Sequence, residues 1–477
     1  MWPDLLTILG ILATVTEILG VISAVNAIMS ERTAEGAIAW ALSLIMFPYI
    51  ALPFYWVFGR NRLPGYAEAR RAAEAEIEHI AHGAVQRLQD DGLVLEGGRH
   101  DRQVYERLGR MQFTHANRVQ LLINGEATFD AIFAAIDAAE QYVLIQYFIV
   151  RDDRVGRAFK DRLIRKAAAG VRVYFLYDAV GSYSLTRRYV RELTNAGVRV
   201  ATFRAVRGRL GRFQLNFRNH RKIVVVDGRA AFVGGLNVGD EYVGRDRGLG
   251  PWRDTHIRVE GPAVPFVQLA FFEDWYWLTR EIPDLNWVPA RAPGGDKNVL
   301  VLASGPADDL ETCGLFFVHT INAARERLWI ASPYFVPDVQ VVCALQLAAL
   351  RGVDVRIMLP ERPDHLLVYL SAFSFLAETE QAGVKIYRYQ PGFMHNKTIL
   401  VDDDLAAVGT ANLDNRSFRL NFEVTVVVDD REFAAEVARM FERDFEQCQL
   451  ARADDLHRRS FWFQVAVRVA RLMSPVQ

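Results

Sequence analysis

Cysteine is nearly absent: Cys313, Cys343 and Cys448 are few, odd in number and far apart. They form no metal-ligand spacing and point to a reducing compartment or buried thiols. No H-E-x-x-H, P-loop or EF-hand pattern occurs either, so the chemistry is expected to use no metal and no cofactor. Nor is there an excess of either charge. The 56 Lys+Arg and 57 Asp+Glu leave a net charge of −1, which gives no general case for nucleic acid as a partner. What the chain does have is length and apolar residues: 477 residues, 51% of them hydrophobic, are enough for two lobes with cores of their own plus appendages.

Apolar residues dominate the N-terminus. Leu5 to Ile28 carries Glu17 as its one charge, and Ala37 to Phe58 carries none. At about 1.5 Å per residue, each segment is long enough for a hydrocarbon core of about 30 Å, so the pair reads as a membrane helical hairpin. No Lys or Arg precedes the first segment and a second follows at once, which speaks against a cleaved signal peptide. Arg60, Arg62, Arg70 and Arg71 follow the second segment, so the positive-inside rule places the rest of the chain on the cytoplasmic side of the membrane. Glu17 near the centre of one segment, and Pro48 and Pro53 in the other, leave open both a spanning and an interfacial or re-entrant hairpin. An Ala/Glu/Arg-rich stretch from Tyr66 to Leu88 reads as a juxtamembrane helix. At the far end, Phe461, Trp462 and Phe463 alternate with Arg468 and Arg471. That amphipathic helix suits either a membrane surface or docking on the lobe before it.

One short signature occurs twice. His220-x-Lys222-x4-Asp227 returns 175 residues later as His395-x-Lys397-x4-Asp402, and Asn237 and Asn412 each stand seventeen residues after their histidine. In His220-Arg-Lys-Ile-Val-Val-Val-Asp227 the β-branched run marks a strand, on which residues two apart share a face, so His220 and Lys222 point the same way. Asp227-Gly228 is a turn signal and Ala230-Ala-Phe-Val-Gly234 a returning strand. The hairpin midpoint then falls at Gly228-Arg229, which predicts Asn237 opposite His220. In the second copy it falls at Asp403-Asp404. A single H-x-K is weak; two copies inside a wider repeat are a site.

The wider repeat runs through both halves. Tyr142-Val-Leu-Ile-Gln-Tyr-Phe148 resembles Leu328-Trp-Ile-Ala-Ser-Pro-Tyr-Phe335, and Gly170-Val-Arg-Val173 and Gly197-Val-Arg-Val200 resemble Gly352-Val-Asp-Val355 and Gly383-Val-Lys-Ile386. Each half reads strand, helix, strand, helix, strand, then the H-x-K hairpin. The fold class is therefore α/β, as two pseudo-symmetric lobes of mixed sheet flanked by helices. The predicted division is a membrane hairpin at 1–60, a juxtamembrane helix and linker at 61–110, lobes at 111–293 and 294–455, and an amphipathic helix at 456–477. Between Arg204 and His220 the first lobe carries about eleven extra residues, including Arg207, Arg209, Arg212 and, just before the motif, Arg218. They read either as a solvated loop or as a contact for anionic headgroups.

Two histidines, two lysines and two amides facing each other supply a nucleophile, a proton donor and positive charge around one phosphate. Asp227 and Asp402 differ in strand parity from their histidines and sit at turns, so they are expected to support rather than react. His79, His82, His100, His115, His319, His365 and His457 lack the motif's neighbours and are read as structural or solvated, while His256, beside Asp254, is a candidate support.

The duplicated signature resembles that of the phospholipase D superfamily. Ile145-Gln-Tyr-Phe148, Leu176-Tyr-Asp-Ala-Val-Gly-Ser182, Trp252-Arg-Asp-Thr-His256, Ser332-Pro-Tyr-Phe-Val-Pro-Asp338 and Leu420-Asn-Phe-Glu423 are similar to segments of bacterial cardiolipin synthases, as is the N-terminal hairpin. The resemblance covers nearly the whole chain. It implies phospholipase D-type lobes and transfer of a phosphatidyl group from one phosphatidylglycerol to the primary hydroxyl of another, giving cardiolipin and glycerol at the lipid bilayer.

With roles partly carried over from that family, His220 is the expected nucleophile, forming a phosphatidyl-histidine, and His395 the expected proton shuttle. Lys222, Lys397, Asn237 and Asn412 would hold the phosphate oxygens. Glu423 resembles the family's partner position for the second motif, and Asp254 is the candidate partner in the first half. One imidazole must be neutral and the other charged, near a reference pKa of about 6.5, and the two titrate together. A phospholipase D hydrolysing headgroups would use the same residues. A phosphodiester nuclease or an inactive membrane-associated binding protein is the rival of another class. Oligomeric state is not legible.

Overall fold

The computed structural model describes residues 5–31, 34–59, 66, 68, 83, 86–95, 100–203, 216–246, 248–474 and 477. Arg60, Arg62, Arg70 and Arg71, most of the stretch read as a juxtamembrane helix with His79 and His82, and Arg207, Arg209 and Arg212 of the insert lie outside these residues.

The β-branched run Ile223–Val226 forms a strand that is buried throughout, because helices cover both faces of its sheet. Burying each such valine contributes roughly 1.5–3 kcal/mol before chain entropy is counted. Helices return the chain between parallel strands. Arg154–Ala168 starts at Asp153, whose carboxylate accepts the Gly156 N–H at 2.9 Å, and Val339–Leu350 starts at Asp338, which accepts the Val341 N–H at 3.0 Å. Gly170 and Gly352, at φ +88° and +92°, end the two helices in the left-handed conformation.

Strand order is the same in both halves. From the outer edge inward the first lobe runs Arg199–Phe203, Arg172–Asp178, Tyr142–Tyr147, Ile223–Val226, Ala230–Gly234, Thr255–Glu260 and Thr114–Ile123. The second runs Lys385–Tyr389, Asp354–Pro360, Arg327–Ala331, Thr398–Val401, Leu405–Gly409, Asn421–Asp429 and Lys297–Ser304, with Cys448–Leu450 outside it. Thr114–Ile123 pairs antiparallel with Lys297–Ser304, so one 16-stranded mixed sheet runs through both lobes.

The hairpin register differs from the sequence expectation by one residue. Val226 pairs with Ala230 and Ile223 with Val233, which centres the turn on Gly228 and sets Leu236, not Asn237, in line with His220. In the second copy Val401 pairs with Leu405, centring the turn on Asp403. The reason is a three-residue loop in which Asp227 takes φ +53° and Asp402 φ +50°, where the expectation assumed a two-residue turn.

At the N-terminus, Leu5–Ser30 is one helix, and within it Thr7–Ser30 is, among the described residues, the one helix long and apolar enough to cross a membrane. The second expected segment is broken into Ala34–Met46 and Pro48–Phe58. Proline disfavours the α conformation at the residue before it, and Phe47 stands at φ −135°, ψ 54°. The pieces fold back on the first helix. A Cβ at Gly20 would stand 2.6 Å from the Leu44 carbonyl oxygen, and the Tyr55 hydroxyl donates to Asn26 Oδ1 at 2.8 Å. Outward-facing Leu9, Leu12, Ile18, Ile22 and Ile50 are exposed.

The C-terminal helix Phe461–Leu472 docks on Leu366–Phe373 through buried Val467 and Ala470 and an edge contact of Phe463 with Phe373. Its other face leaves Phe461, Trp462, Val469 and Leu472 exposed.

Candidate active site

Two short pairings cross between the lobes. Arg218–Asn219 runs parallel to Asn421–Phe422, and the His220 N–H donates to the Phe422 carbonyl at 2.9 Å. Phe393–Met394 runs parallel to Trp252–Arg253, and the His395 N–H donates to the Arg253 carbonyl at 2.8 Å. The next residue along each partner strand is a carboxylate. Each histidine is therefore delivered to the acid of the opposite half.

His220 Nδ1 lies 2.9 Å from Glu423 Oε2, and His395 Nδ1 lies 2.9 Å from Asp254 Oδ2. This corrects the sequence reading, which grouped Glu423 with the second motif and Asp254 with the first. The partnership is crossed because the carboxylate strands, Asn421–Asp429 and Thr255–Glu260, flank the two strands that join the lobes. Ionised carboxylates can only accept, so each imidazole donates through Nδ1 and leaves Nε2 for chemistry.

Burial by itself would raise the pKa of both acids. The hydrogen bond from His395 and the Lys397 ammonium hold Asp254 below the usual range, and contact with His220, the Lys222 charge and the Thr410 hydroxyl do so for Glu423. Burial also pushes both histidines down to about 4, the nearby lysines assisting and the carboxylates opposing. Lys222 falls well below its ordinary value by burial, and Lys397 to about 8. A phosphate placed beside these four groups would add its negative charge to that of the two carboxylates and favour the protonated forms of the histidines and lysines.

The lysines share a side with their histidines. Lys222 Nζ and Lys397 Nζ each donate to the carbonyl of their own histidine at 2.6 Å, and Phe148 packs against both His220 and Lys222. The amides are not equivalent. Asn237 Oδ1 accepts the Ile149 N–H at 3.0 Å and its Nδ2 donates to the Tyr242 hydroxyl. Asn412 Nδ2 donates to Asp414, while its Oδ1 is buried with no partner among the described residues.

Asp227 and Asp402 lie at the other end of their strands. Asp227 accepts the N–H groups of Glu140, Gln141 and Tyr142, each at 2.8 Å, and Asp402 accepts those of Arg325, Glu326 and Arg327. They tie the hairpin turn to the start of the neighbouring strand. His256 is buried, its Nδ1 accepts the Leu236 N–H at 3.4 Å, and burial takes its pKa to about 3. Arg218 is half-buried and donates to the Phe217 carbonyl.

Several supporting residues escaped the sequence reading. Glu423 also accepts from the Thr410 hydroxyl at 2.6 Å, the Ser417 hydroxyl at 2.9 Å and Asn421 Nδ2 at 3.2 Å. Asp254 accepts from the Thr255 N–H at 2.8 Å and the Trp252 indole at 3.3 Å. Gly235, in the place Thr410 takes in the second half, makes room for Asp254: a Cβ there would stand 2.0 Å from its Oδ1. Flanking each histidine is a buried ion pair, Arg221 with Asp274 at 2.9 Å and Arg253 with Asp444 at 2.7 Å. The repeat alone could have signalled Thr410, through its alignment with Gly235. Among the described residues no group of three His, Cys, Asp or Glu side chains is placed to hold a metal ion.

A family model described as "Cardiolipin synthase, PLD-like domain" matches residues 132–249 and again 317–445, and one described as "Phospholipase_D-nuclease N-terminal" matches 18–60. The chain is 51% identical over 474 residues to cardiolipin synthase A of Pseudomonas aeruginosa, covering 98% of this chain and 96% of that one. Against cardiolipin synthase A of Pseudomonas putida the identity is 49% over 474 residues, covering 98% of each. Among solved structures, phosphatidylserine synthase of Haemophilus influenzae superposes with a TM-score of 0.62 at 14% identity, covering 79% of this chain and 100% of that one, a likeness of fold.

Proposed function

The chain belongs to the cardiolipin synthase family with a PLD-like domain, and from that membership we propose how its two half-sites divide the reaction. It is a phosphatidyltransferase and a cardiolipin synthase, with phosphatidylglycerol and cardiolipin as its lipid substrate and product. In the finer reading His220 Nε2 attacks the phosphorus of one phosphatidylglycerol. The bond to the headgroup glycerol breaks, and His395 gives that oxygen its proton. The terminal hydroxyl of a second phosphatidylglycerol then loses its proton to His395 and attacks phosphorus. The P–N bond breaks, and both histidines are restored. One phosphodiester replaces another, so no nucleotide enters the balance.

The observation that carries this reading is the pair of crossed histidine–carboxylate contacts, each leaving an Nε2 without a hydrogen bond among the described residues. The division of roles is supported by unequal acids. Two hydroxyls at 2.6 and 2.9 Å draw charge from Glu423, whereas Asp254 keeps a long indole contact and one backbone N–H. The less engaged acid better supports an imidazolium, which favours His395 as the proton donor.

The N-terminal helices would hold the enzyme in a bacterial inner membrane with its lobes on the cytoplasmic side, a reading supported by the arginines after the second segment. The test is labelled phosphatidylglycerol in vesicles carrying the full chain. Cardiolipin and glycerol are expected, with an adduct on His220 trapped in denaturing detergent at mildly alkaline pH, where the P–N bond persists. An adduct on His395 that survives His220→Ala would reverse the roles, and phosphatidic acid as the sole product would make the protein a hydrolase.

A further inference from the structure

The two halves differ beside their amides. Val150 bridges to Val238 and Phe335 pairs with Leu413, so Ile149 and Tyr334 are counterparts, each next to its asparagine. In the first half the Ile149 N–H satisfies Asn237 Oδ1. In the second the Tyr334 N–H turns to Ser332 Oγ at 3.3 Å, and Oδ1 of Asn412, a residue 4% exposed, is left without a donor among the described residues. A buried acceptor left unpaired is destabilising by about 1–3 kcal/mol, so it marks a place where a donor is missing.

The Tyr334 hydroxyl donates to Asp364 Oδ2 at 2.6 Å. Both residues line an open cavity of about 330 Å³, open solvent included, whose wall also carries Pro333, Pro360, His365 and Arg388, the last paired with Glu361 at 3.7 Å. The cavity belongs to the catalytic neighbourhood: the Asp364 carboxylate is near enough to Lys397 to help keep it charged. A carboxylate repels a phosphate but accepts strongly from alcohols, and a phenol beside it adds a second polar contact.

Resting on the transferase reading, we propose that Asn412 Oδ1, Tyr334 and Asp364 form a polyol subsite that binds the vicinal hydroxyls of the acceptor's glycerol headgroup. The secondary hydroxyl shares its one hydrogen between Asp364, which Tyr334 holds in place, and Asn412 Oδ1, so the primary hydroxyl keeps its hydrogen for His395. The first half, with Ile149 in the place of Tyr334, offers no such contact and serves the phosphate alone. With the secondary hydroxyl held there, the primary hydroxyl next to it is the one whose proton His395 takes. Water, which has no second hydroxyl, gains nothing from it.

The test uses the full chain in vesicles with a phosphatidyl-p-nitrophenol donor, so that formation of the phosphatidyl-enzyme does not involve glycerol. Phosphatidylglycerol and methanol compete as acceptors. Tyr334→Phe and Asp364→Asn are expected to lower the ratio of cardiolipin to phosphatidylmethanol about tenfold; both acceptors meet the same phosphatidyl-enzyme, so an effect of Asp364 on Lys397 and the donor step leaves this ratio unchanged. An unchanged ratio in both variants overturns the subsite, whether or not nitrophenol release also falls. If the parent itself makes no cardiolipin, the transferase reading falls instead, so the two failures are distinguishable.

Discussion

Asp254 Oδ2 and His395 Nδ1 meet at 2.9 Å although they belong to opposite lobes, and Glu423 and His220 repeat the exchange in the other direction. Neither half contains a complete histidine–carboxylate pair. Orientation of each imidazole therefore depends on the fit between lobes, and substitutions should report the crossed partnership.

Asp254→Asn and Glu423→Gln are each expected to lower kcat by roughly 10²- to 10⁴-fold, since an amide can hold the imidazole in the wrong tautomer. NMR titration distinguishes the partners. Glu423→Gln should move the His220 signal and leave His395 nearly in place, and Asp254→Asn should do the reverse; the opposite pattern would contradict the crossed geometry.

Substrate should bring protons with it. Both histidines are neutral above about pH 4 in the empty site, and a bound phosphate anion raises the pKa of any imidazole beside it. Between the free and bound pKa the complex holds a proton that the free protein lacks. Calorimetric titration with a phosphodiester analogue at pH 6.5, in two buffers of different ionisation enthalpy, should show uptake of about one proton. A heat independent of buffer would mean that His395 is not charged by substrate.

The position shared by Gly235 and Thr410 separates crowding from hydrogen bonding. Gly235→Ala places a methyl group 2.0 Å from Asp254 Oδ1, and activity should fall roughly a hundredfold as that acid leaves His395. Thr410→Val removes one donor from Glu423 without adding bulk, and about a tenfold loss is expected, with Thr410→Ser near the parent. Equal losses at both positions would argue against this distinction.

Asp227 and Asp402 should affect stability before chemistry. Each carboxylate gathers three backbone N–H groups at a turn, and Asp227→Ala or Asp402→Ala leaves those donors unpaired, with an expected loss of about 2–4 kcal/mol. Denaturant midpoints should fall while kcat of the protein that remains folded stays within a few-fold. A collapse of kcat at unchanged stability would make them participants.

Cys343 is exposed on the second lobe and offers a native probe of sidedness. In intact spheroplasts an impermeant maleimide should leave it unlabelled until the membrane is opened, and Ser30→Cys, at the tip of the hairpin, should label from outside if the hairpin spans. Protection of Ser30→Cys on both sides would favour a re-entrant arrangement.

The sequence carried the α/β alternation, the internal repeat and the two motifs, because each is local: strand runs, turn residues and spacings. The crossed acids were misassigned because Arg218–Asn219 pairs with Asn421–Phe422 across two hundred residues, and nothing in either segment names its partner. The hairpin register slipped by one because Asp227 and Asp402 adopt positive φ, which spacing does not reveal. The break at Phe47 was marked by Pro48, although the apolar run continues across it. Tyr334 drew no notice because its N–H had to be traced to Ser332 before the unpaired oxygen of Asn412 meant anything.

The exchange of acids between lobes also bears on inheritance. One lobe on a chain of its own could be completed by a second copy of itself, but every change in that chain would then appear twice in the finished site. Joined in one chain, the halves are free to change one at a time. Gly235 against Thr410, Ile149 against Tyr334 and the extra residues before His220 are differences of this one-sided kind. A single gene can thus encode two unlike sides within one site, which a self-pairing half could not.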